Sequence, residues 1–531
     1  METLYGLAAG WDLIATPTGL LVMVIGLTVG FIAGVLPGFS GPNAAALLLP
    51  ISLQYPPAIA LALIISIYAG TTFGGTIPAI LINVPGEGGA AATALDGYPM
   101  AKAGKAQLAI GIARMASVLG GVIGVTIAIV LIHPISIIAI RIGPPELFIV
   151  AMLGVTVCAT LIGGNLVKGL VVAFLGMLIS AMSVGPISAE PRLDFGIPEL
   201  YDQVPLVAAV VGIFALSEMM LLPKEMAEMG EMPDYLDTRA RPVGFFAKAL
   251  RLLGLDNIPE IIRGVRVTLS HPIAVIQGSL IGLLIGTVPG IGSSVSNLVA
   301  YGAAKRSSKN KELFGKGHPV GIISSEASDN ALAGGSLIPT LTLGIPGNAT
   351  SAVMLAALYL YGIQPGPQFM SSHPAEAYAV LIAALGASIL ILPLGIVLSS
   401  PMIYFTKTRV ELLVPITIFV SLVGAYATNA AMFDVAVALA FGLLVLFLRI
   451  FNYPVIPLFL GLILGPLAEN NFVRSLALSR YDPSIFWQST PSKCLLLLLA
   501  ILLTTGIVRT IRNRRDDDSD DVLDGLPVAR D

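Results

Sequence analysis

The sequence predicts an all-α polytopic membrane protein, arranged as two inverted-topology repeats that each carry two Pro-Gly-broken helices or re-entrant hairpins. Three observations lead there. The 531-residue chain is 56% hydrophobic and 11% charged, whereas soluble domains carry about 25% charged residues; its mean hydropathy is +0.89. Apolar runs of about 20 residues, the length that crosses a bilayer, recur along the whole chain. Pro-Gly pairs interrupt four of the apolar stretches, in the same order in each half.

The clearest apolar runs are 20–36, 58–82, 106–132, 147–162, 167–184, 204–222, 377–398 and 494–508, and counting the ambiguous ones gives roughly ten to twelve spans. No basic segment precedes the first run, so it is expected to act as an uncleaved insertion signal. Gly26, Gly30 and Gly34 recur every four residues, the spacing that lets one helix approach another closely.

The repeat is read from its anchors. Gly30, Gly34, Pro37 and Gly38 correspond to Gly282, Gly286, Pro289 and Gly290, 252 positions on (289 − 37 = 252). "GGTIPAILINVPGEGG" (74–89) corresponds to "GGSLIPTLTLGIPGNAT" (334–350), with Pro85-Gly86 and Pro346-Gly347 261 positions apart (346 − 85 = 261). Basic loops mark the cytoplasmic side. The stretch 54–57 has no Lys or Arg, whereas Lys102, Lys105 and Arg114 follow the second broken segment; in the second half 303–317 has five basic residues and 362–378 has none. Equivalent loops therefore face opposite sides, an arrangement found in secondary transporters. The expected organisation is a first transmembrane repeat (1–222), a cytoplasmic linker (223–264) with a short amphipathic helix near 245–255, a second repeat (265–508), and a disordered cytoplasmic tail (509–531).

Irregular backbone survives at membrane depth only where it lines a polar cavity or is buried in protein. Each break is followed by hydroxyl, amide or glycine residues and then a helix-forming run, which reads as a capped helix N-terminus. Such termini offer unpaired N–H groups and the positive end of the helix dipole to an anion, and none of the four loops contains Lys or Arg. The expected anion-binding residues are Gly38, Ser40, Asn43, Gly86, Gly290, Ser293, Ser294, Ser296, Asn297, Gly347, Asn348, Thr350 and Ser351. In "SSEASDNALAGG" (324–335), Glu326 and Asp329 interrupt apolar sequence at a cost of roughly 2.5–3.5 kcal/mol per carboxylate at the bilayer centre. With Ser325 and Asn330, and with Thr71 and Thr72 of the matching first-half stretch, they form an oxygen-only set suited to a hard coupling cation.

Other signals exclude alternatives. A net charge of −3 offers no basic surface for nucleic acid. Cys158 and Cys494 lie far apart in apolar sequence, so neither a disulfide nor a metal site is expected. His133, His271, His318 and His373 all precede proline and read as segment ends. HExxH, GxxxxGK[ST], GxSxG and CxxC are absent, so a membrane-embedded enzyme has no visible chemistry; a passive anion channel is the other alternative.

"GVLPGFSGPN", "YAGTTFGGTIPAILINVPGE", "TALDGYPMAKAGKA" and "GGSLIPTLTLGIPG" resemble the large membrane subunit of tripartite tricarboxylate transporters, the TctA family, over nearly the whole chain. The resemblance implies a multi-pass subunit of the bacterial inner membrane, surrounded by lipid, that imports small di- or tricarboxylates such as citrate. It also implies a small four-helix membrane subunit and a periplasmic solute-binding protein as partners. Uptake would be driven by an ion gradient, Na⁺ or H⁺, with no further cofactor and no enzymatic reaction. The family pattern usually has proline before Glu326 and asparagine where Asp329 stands, so the extra acid bears on the coupling ion.

Overall fold

The structure, a computed structural model, describes residues 2–36, 39–162, 166–185, 190–201, 203–229, 258–405 and 410–524. In chain order the helices are α1 (Glu2–Ile14), α2 (Pro17–Val35), α3 (Gly41–Ser52), α4 (Pro57–Ile82), α5 (Ala90–Lys102), α6 (Ala106–Ala139), α7 (Pro144–Ile162), α8 (Leu166–Ser180), α9 (Leu206–Val210) and α10 (Ser217–Met229). Val211–Leu216 forms a π-helical stretch between α9 and α10. There follow α11 (Ile258–Leu269), α12 (Pro272–Gly286), α13 (Gly292–Ser307), α14 (Pro319–Leu343), α15 (Ala349–Leu360), α16 (Phe369–Ser372), α17 (Pro374–Phe405), α18 (Val410–Asn429), α19 (Met432–Ile450), α20 (Ile456–Leu478) and α21 (Thr490–Asp524). A two-residue antiparallel ribbon pairs β1 (Ser183–Val184) with β2 (Pro191–Arg192).

Among the described residues nine helices are long and apolar enough to cross a membrane, or ten if α11 and α12, bent by 78°, count as one span. Ten meets the lower end of the expected ten to twelve, and two further apolar segments fall short of a plain span for identifiable reasons. Helix α8 has only 15 residues, and α14, 25 residues long, is interrupted by Ser324, Ser325, Glu326, Ser328, Asp329 and Asn330. A helix this polar tolerates membrane depth only when protein surrounds it, and those six side chains are all buried.

The chain divides into two compact units, and they do not follow the two sequence halves. One comprises Met1–Arg141 and Pro205–Leu446, the other Ile142–Val204 and Phe447–Asp531. The larger unit draws on both halves because their helices interlock: α14 packs on α5 and α6, and α17 packs on α1, α2 and α4. In the smaller unit α20 packs against α7 and α8, and Arg192 and Glu469 form a bidentate ion pair.

Glycine spacing sets the closest packing in the larger unit. Gly26, Gly30 and Gly34 of α2 lie against the carbonyls of Leu63, Ile67 and Thr71 on α4, where a Cβ would come within 2.8 Å. Gly278, Gly282 and Gly286 of α12 lie in the same way against the carbonyls of Ser324, Ser328 and Leu332 on α14, where a Cβ would again come within 2.8 Å. The three contacts in α2–α4 and the three in α12–α14 occupy corresponding positions of the two halves. The helix ends correspond too: α4 stops at Asn83 (φ 59°) and α14 at Gly344 (φ 70°), both left-handed, a conformation that asparagine and glycine tolerate best.

Loops of the two halves meet. Exposed Lys102 ends α5 and exposed Lys105 follows it; Asp96 and Met100 of α5 contact Gly315 and Gly317 in the basic loop before α14. At uncharged loops, Tyr361 Oη donates to the carbonyls of Ser52 (3.1 Å) and Tyr55 (2.6 Å).

Several expectations change. Arg114 is not a loop cation: it is 1% exposed on α6, over the Phe73 ring at 5.7 Å, so Lys102 and Lys105 carry the positive signal there. His133-Pro134 lies inside α6 rather than at a segment end, whereas Pro272, Pro319 and Pro374 do begin helices. The helix expected near 245–255 lies outside the described residues. Helix α21 continues to Asp524 through the tail expected to be disordered; an existing apolar helix supplies the nucleus, so each added residue needs only propagation.

Candidate functional site

The site lies in the larger unit, where α14 crosses the first-half helices. Gly120 and Gly124 of α6 meet the backbone of α14 at Ala327 and Ala331. That approach brings Ser117, one turn earlier on the same face, to Glu326. Both Glu326 oxygens are satisfied: Oε1 accepts from Thr76 Oγ1 (2.8 Å) and Thr93 Oγ1 (2.6 Å), and Oε2 accepts from Ser117 Oγ (2.8 Å). The carboxylate is fully buried, and its three donors come from α4, α5 and α6. Hydrogen bonds to a buried charge are the strong kind, so Glu326 ties the second half to three helices of the first.

One turn later, Asp329 is 1% exposed; neither oxygen makes a hydrogen bond of full geometry, and the Asn297 amide stands beside the carboxylate as a donor. It sits beside the start of α5, where a Cβ on Gly89 would lie 2.5 Å from Oδ2 and 2.7 Å from Oδ1. Asn297 of α13 lies alongside and donates through Nδ2 to the Gly89 carbonyl at 2.7 Å. Tyr68, Glu87 and Asp329 are close enough to interact electrostatically.

The broken segments meet in pairs. Gly290 N–H donates to the Gly347 carbonyl at 3.1 Å. Gly86 packs on the Gly34 carbonyl, and Gly347 packs on that of Gly286. At the start of α3, a Cβ on Gly41 would lie 2.7 Å from Thr71 Oγ1 and 3.2 Å from Thr350 Oγ1. At the start of α5, Gly88 faces Ser294 Oγ. The N-terminus of α3 thus lies by that of α15, and that of α5 by that of α13.

Individual residues play unequal parts. Gly38 lies outside the described residues. Asn348 makes a capping box: it accepts from Ser351 N–H (2.8 Å) through Oδ1, and Ser351 Oγ accepts from its N–H (3.0 Å). Its Nδ2 also donates to Tyr68 Oη at 3.0 Å. The other three expected caps are not made: Ser40, half-buried, gives no side-chain cap to α3, and neither Gly89 nor Ile291 caps its helix. The physical reason is local backbone: positive φ at Gly290 (83°) and Gly292 (75°) turns the chain into α13 before Ser293 and Ser294. Asn43 is buried, Ser293 half-buried and Ser294 exposed. Ser296 Oγ bonds Ser328 Oγ at 2.7 Å.

Four proposed cation neighbours bond within their own helices. Thr71 Oγ1 donates to Ile67 and Tyr68 carbonyls, Thr72 Oγ1 to Tyr68, Ser325 Oγ to Gly321, and Asn330 Nδ2 to Glu326. Their hydroxyl or carbonyl oxygens keep lone pairs for an ion.

Reading for chemistry missed Thr76, Thr93 and Ser117, hydroxyls that look ordinary in sequence, and Asp96 of "LDGYPMA". Asp96 is fully buried, and its Oδ1 accepts from the N–H groups of Gly315 (2.8 Å), Gly317 (2.9 Å) and His318 (2.8 Å). It thereby holds the turn that begins α14. His318 stacks on Phe314 at 4.7 Å and accepts from Val320 N–H. Among the described residues, no group of three or more His, Cys, Asp or Glu side chains could hold a metal ion.

The profile of the tripartite tricarboxylate transporter TctA family matches residues 20–460. A protein of Agrobacterium vitis, described as an uncharacterized 52.8 kDa protein in the TAR-I ttuC' 3'region, is 31% identical over 516 residues, 97% of this chain and 98% of that protein. Another from the same organism, an uncharacterized protein in the TAR-II ttuC' 3'region, is 32% identical over 236 residues, 44% of this chain and 97% of its own length. No solved structure matches. With the profile spanning most of the chain and a relative matched nearly end to end, this multi-pass membrane protein belongs to the tripartite tricarboxylate transporter TctA family.

Proposed function

We propose that this transporter subunit imports small di- or tricarboxylates across the bacterial inner membrane by cation symport, receiving them from a periplasmic solute-binding protein and acting with a small four-helix membrane subunit. The carrying observation is the pairing of broken-helix N-termini, α3 with α15 and α5 with α13, beside the buried acids of α14. Amide-rich helix starts favour an anion without a lysine or arginine in the loops, and buried carboxylates favour a cation.

The two halves read as an inverted-topology repeat. The matched glycine contacts of α2–α4 and α12–α14 support it, as do the matched left-handed ends at Asn83 and Gly344 and the contact of α5 with the basic loop of the other half. Broken helices at a repeat interface are the usual place for substrate and coupling ion in secondary transporters.

Charge movement sets the stoichiometry. Carrying a dianion into a cell at −100 mV opposes the potential by roughly 4.6 kcal/mol. Two cations neutralise it, and a third makes the voltage drive entry, so two or three cations per dianion are expected.

The test is uptake of radiolabelled di- and tricarboxylates, citrate first, into proteoliposomes holding both membrane subunits and supplied with the binding protein. Accumulation that requires an inward Na⁺ or H⁺ gradient supports symport. Accumulation against a substrate gradient with both ion gradients absent and voltage at zero overturns it, and flux that only equilibrates identifies a channel. Replacing Asn348 or Ser294 by leucine is expected to abolish uptake with membrane insertion intact; normal uptake by both variants removes the loops from the substrate site.

A further inference from the structure

We infer that Asp329 and Glu87 together hold a monovalent, Na⁺-sized cation, with Asn297 beside them, and that Glu326 is a structural tie rather than a ligand. The inference deepens the symport reading and rests on it for its role in transport. Repeat correspondence carries the first step. Tyr68 corresponds to Asp329, and Glu87 to Asn348, each pair 261 positions apart like Pro85 and Pro346. Each of these cross-half meetings joins a broken-loop residue of one half to a long-helix residue of the other. In one, Asn348 Nδ2 donates to Tyr68 Oη at 3.0 Å, a neutral and satisfied contact. In its counterpart the same two positions are both carboxylates, Glu87 and Asp329, which interact electrostatically. Two carboxylates accept and cannot donate to each other.

Polar satisfaction carries the second step. Four oxygens gathered here make no hydrogen bond of full geometry: both of Asp329, Oε2 of Glu87 and Oδ1 of Asn297; the Asn297 amide stands beside Asp329 as a donor to its carboxylate, leaving most of its lone pairs open. Asp329 and Asn297 are 1% and 0% exposed. Buried polar atoms without partners are rare, and a cluster of them needs an explanation, of which a bound ion is one. Glu326, three residues away, shows the contrast, because both of its oxygens are filled by hydroxyl donors. Gly89 carries the third step. A side chain there would collide with Asp329, so glycine lets the start of α5 close against the carboxylate while Asn297 pins its carbonyl.

The donor chemistry selects the ion. Oxygen atoms alone suit hard cations. Calcium takes six to eight oxygens, commonly several carboxylates; here two carboxylates are open, and the third acid within electrostatic reach, Glu326, is filled by hydroxyl donors, so a monovalent ion fits better.

The test uses the purified full-length chain in detergent without any carboxylate. Its thermal unfolding midpoint is followed across a NaCl titration at constant ionic strength with choline chloride, with KCl, CaCl₂ and pH series in parallel. Sodium is expected to raise the midpoint saturably. Asp329→Asn and Glu87→Gln are expected to raise the half-saturating Na⁺ concentration at least tenfold. Glu326→Gln is expected to lower the midpoint while moving half-saturation less than twofold. The inference is overturned if Na⁺ dependence survives both first variants, if Glu326→Gln alone removes it, if calcium replaces sodium at lower concentration, or if the midpoint follows pH and ignores Na⁺. Should Asp329→Asn not fold, Glu87→Gln, in a half-buried loop position, decides alone. Sodium binding without carboxylate accumulation in proteoliposomes defeats the symport reading only. Accumulation driven by an ion gradient without this sodium response defeats the ion site only.

Discussion

Thr93→Val removes one of the three hydroxyls that hold Glu326 and leaves the shape of α5 nearly unchanged. The bond lost is 2.6 Å long, to a fully buried carboxylate. Hydrogen bonds to charged groups contribute about 1.5–3 kcal/mol, against about 0.5–1.5 kcal/mol for neutral pairs. Thr76 still donates to the same oxygen, so the carboxylate is weakened rather than orphaned, and a cost of about 1.5–2 kcal/mol follows from the lower part of the charged range. In a Glu326→Gln background the acceptor is neutral, and the same substitution is expected to cost about 1 kcal/mol less. The measurement is a double-mutant cycle by reversible unfolding in mixed detergent micelles, with Thr505→Val as the control. Thr505 is exposed and bonds its own helix at 2.8 Å, so its replacement is expected to stay within about 0.5 kcal/mol. Equal costs for Thr93→Val in both backgrounds, within the roughly 0.3–0.5 kcal/mol of ordinary additivity, would refute the tie.

Gly30→Val and Gly282→Val each force a side chain into a facing carbonyl and are expected to abolish monodisperse protein on size-exclusion chromatography. Gly302→Ala, with open space around its Cβ position, is expected to elute like the parent; normal elution of both valine variants would contradict the matched packing. Asp96→Ala deprives the N–H groups of Gly315, Gly317 and His318 of their shared acceptor. Hydrogen exchange over residues 315–318 is expected to speed at least tenfold, and a change under twofold would show that the turn holds itself.

What the sequence makes legible is what depends on neighbours in the chain. Length and apolarity suffice for α2, α4 and α6, and a carboxylate amid apolar residues is enough to single out Glu326. Its partners are another matter. Thr76, Thr93 and Ser117 stand 250, 233 and 209 positions away, and each has the appearance of an ordinary hydroxyl bonding its own helix. Asp96 is similar: it lies in a distinctive motif, but the amides it binds lie 219 to 222 residues on. Charge counting places Arg114 among the loop cations, because nothing near it in the chain shows that α6 runs through it. Capping was overread for the same reason, because the turn into α13 is set by the left-handed glycines at 290 and 292 and not by the serines after them.

The repeat offsets were readable from the start, yet their meaning comes from comparing what equivalent positions do. Symmetry would make the two cross-half contacts alike, and sequence divergence has made one neutral, Asn348 with Tyr68, and the other doubly acidic, Glu87 with Asp329. An anion approaching the amide ends of α5 and α13 meets that acidic pair, and like charge disfavours binding there until a cation neutralises it. With both sites occupied as proposed, anion affinity and cation occupancy would be linked by one shared electrostatic term, and linkage of this kind is reciprocal: the anion would raise affinity for the cation by the same factor. With the cation held as proposed, coupled transport would need no further device than this asymmetry. Carboxylate added to the protein should therefore lower the half-saturating Na⁺ concentration in the thermal titration, and Glu87→Gln should remove that cross-effect even where residual Na⁺ binding persists.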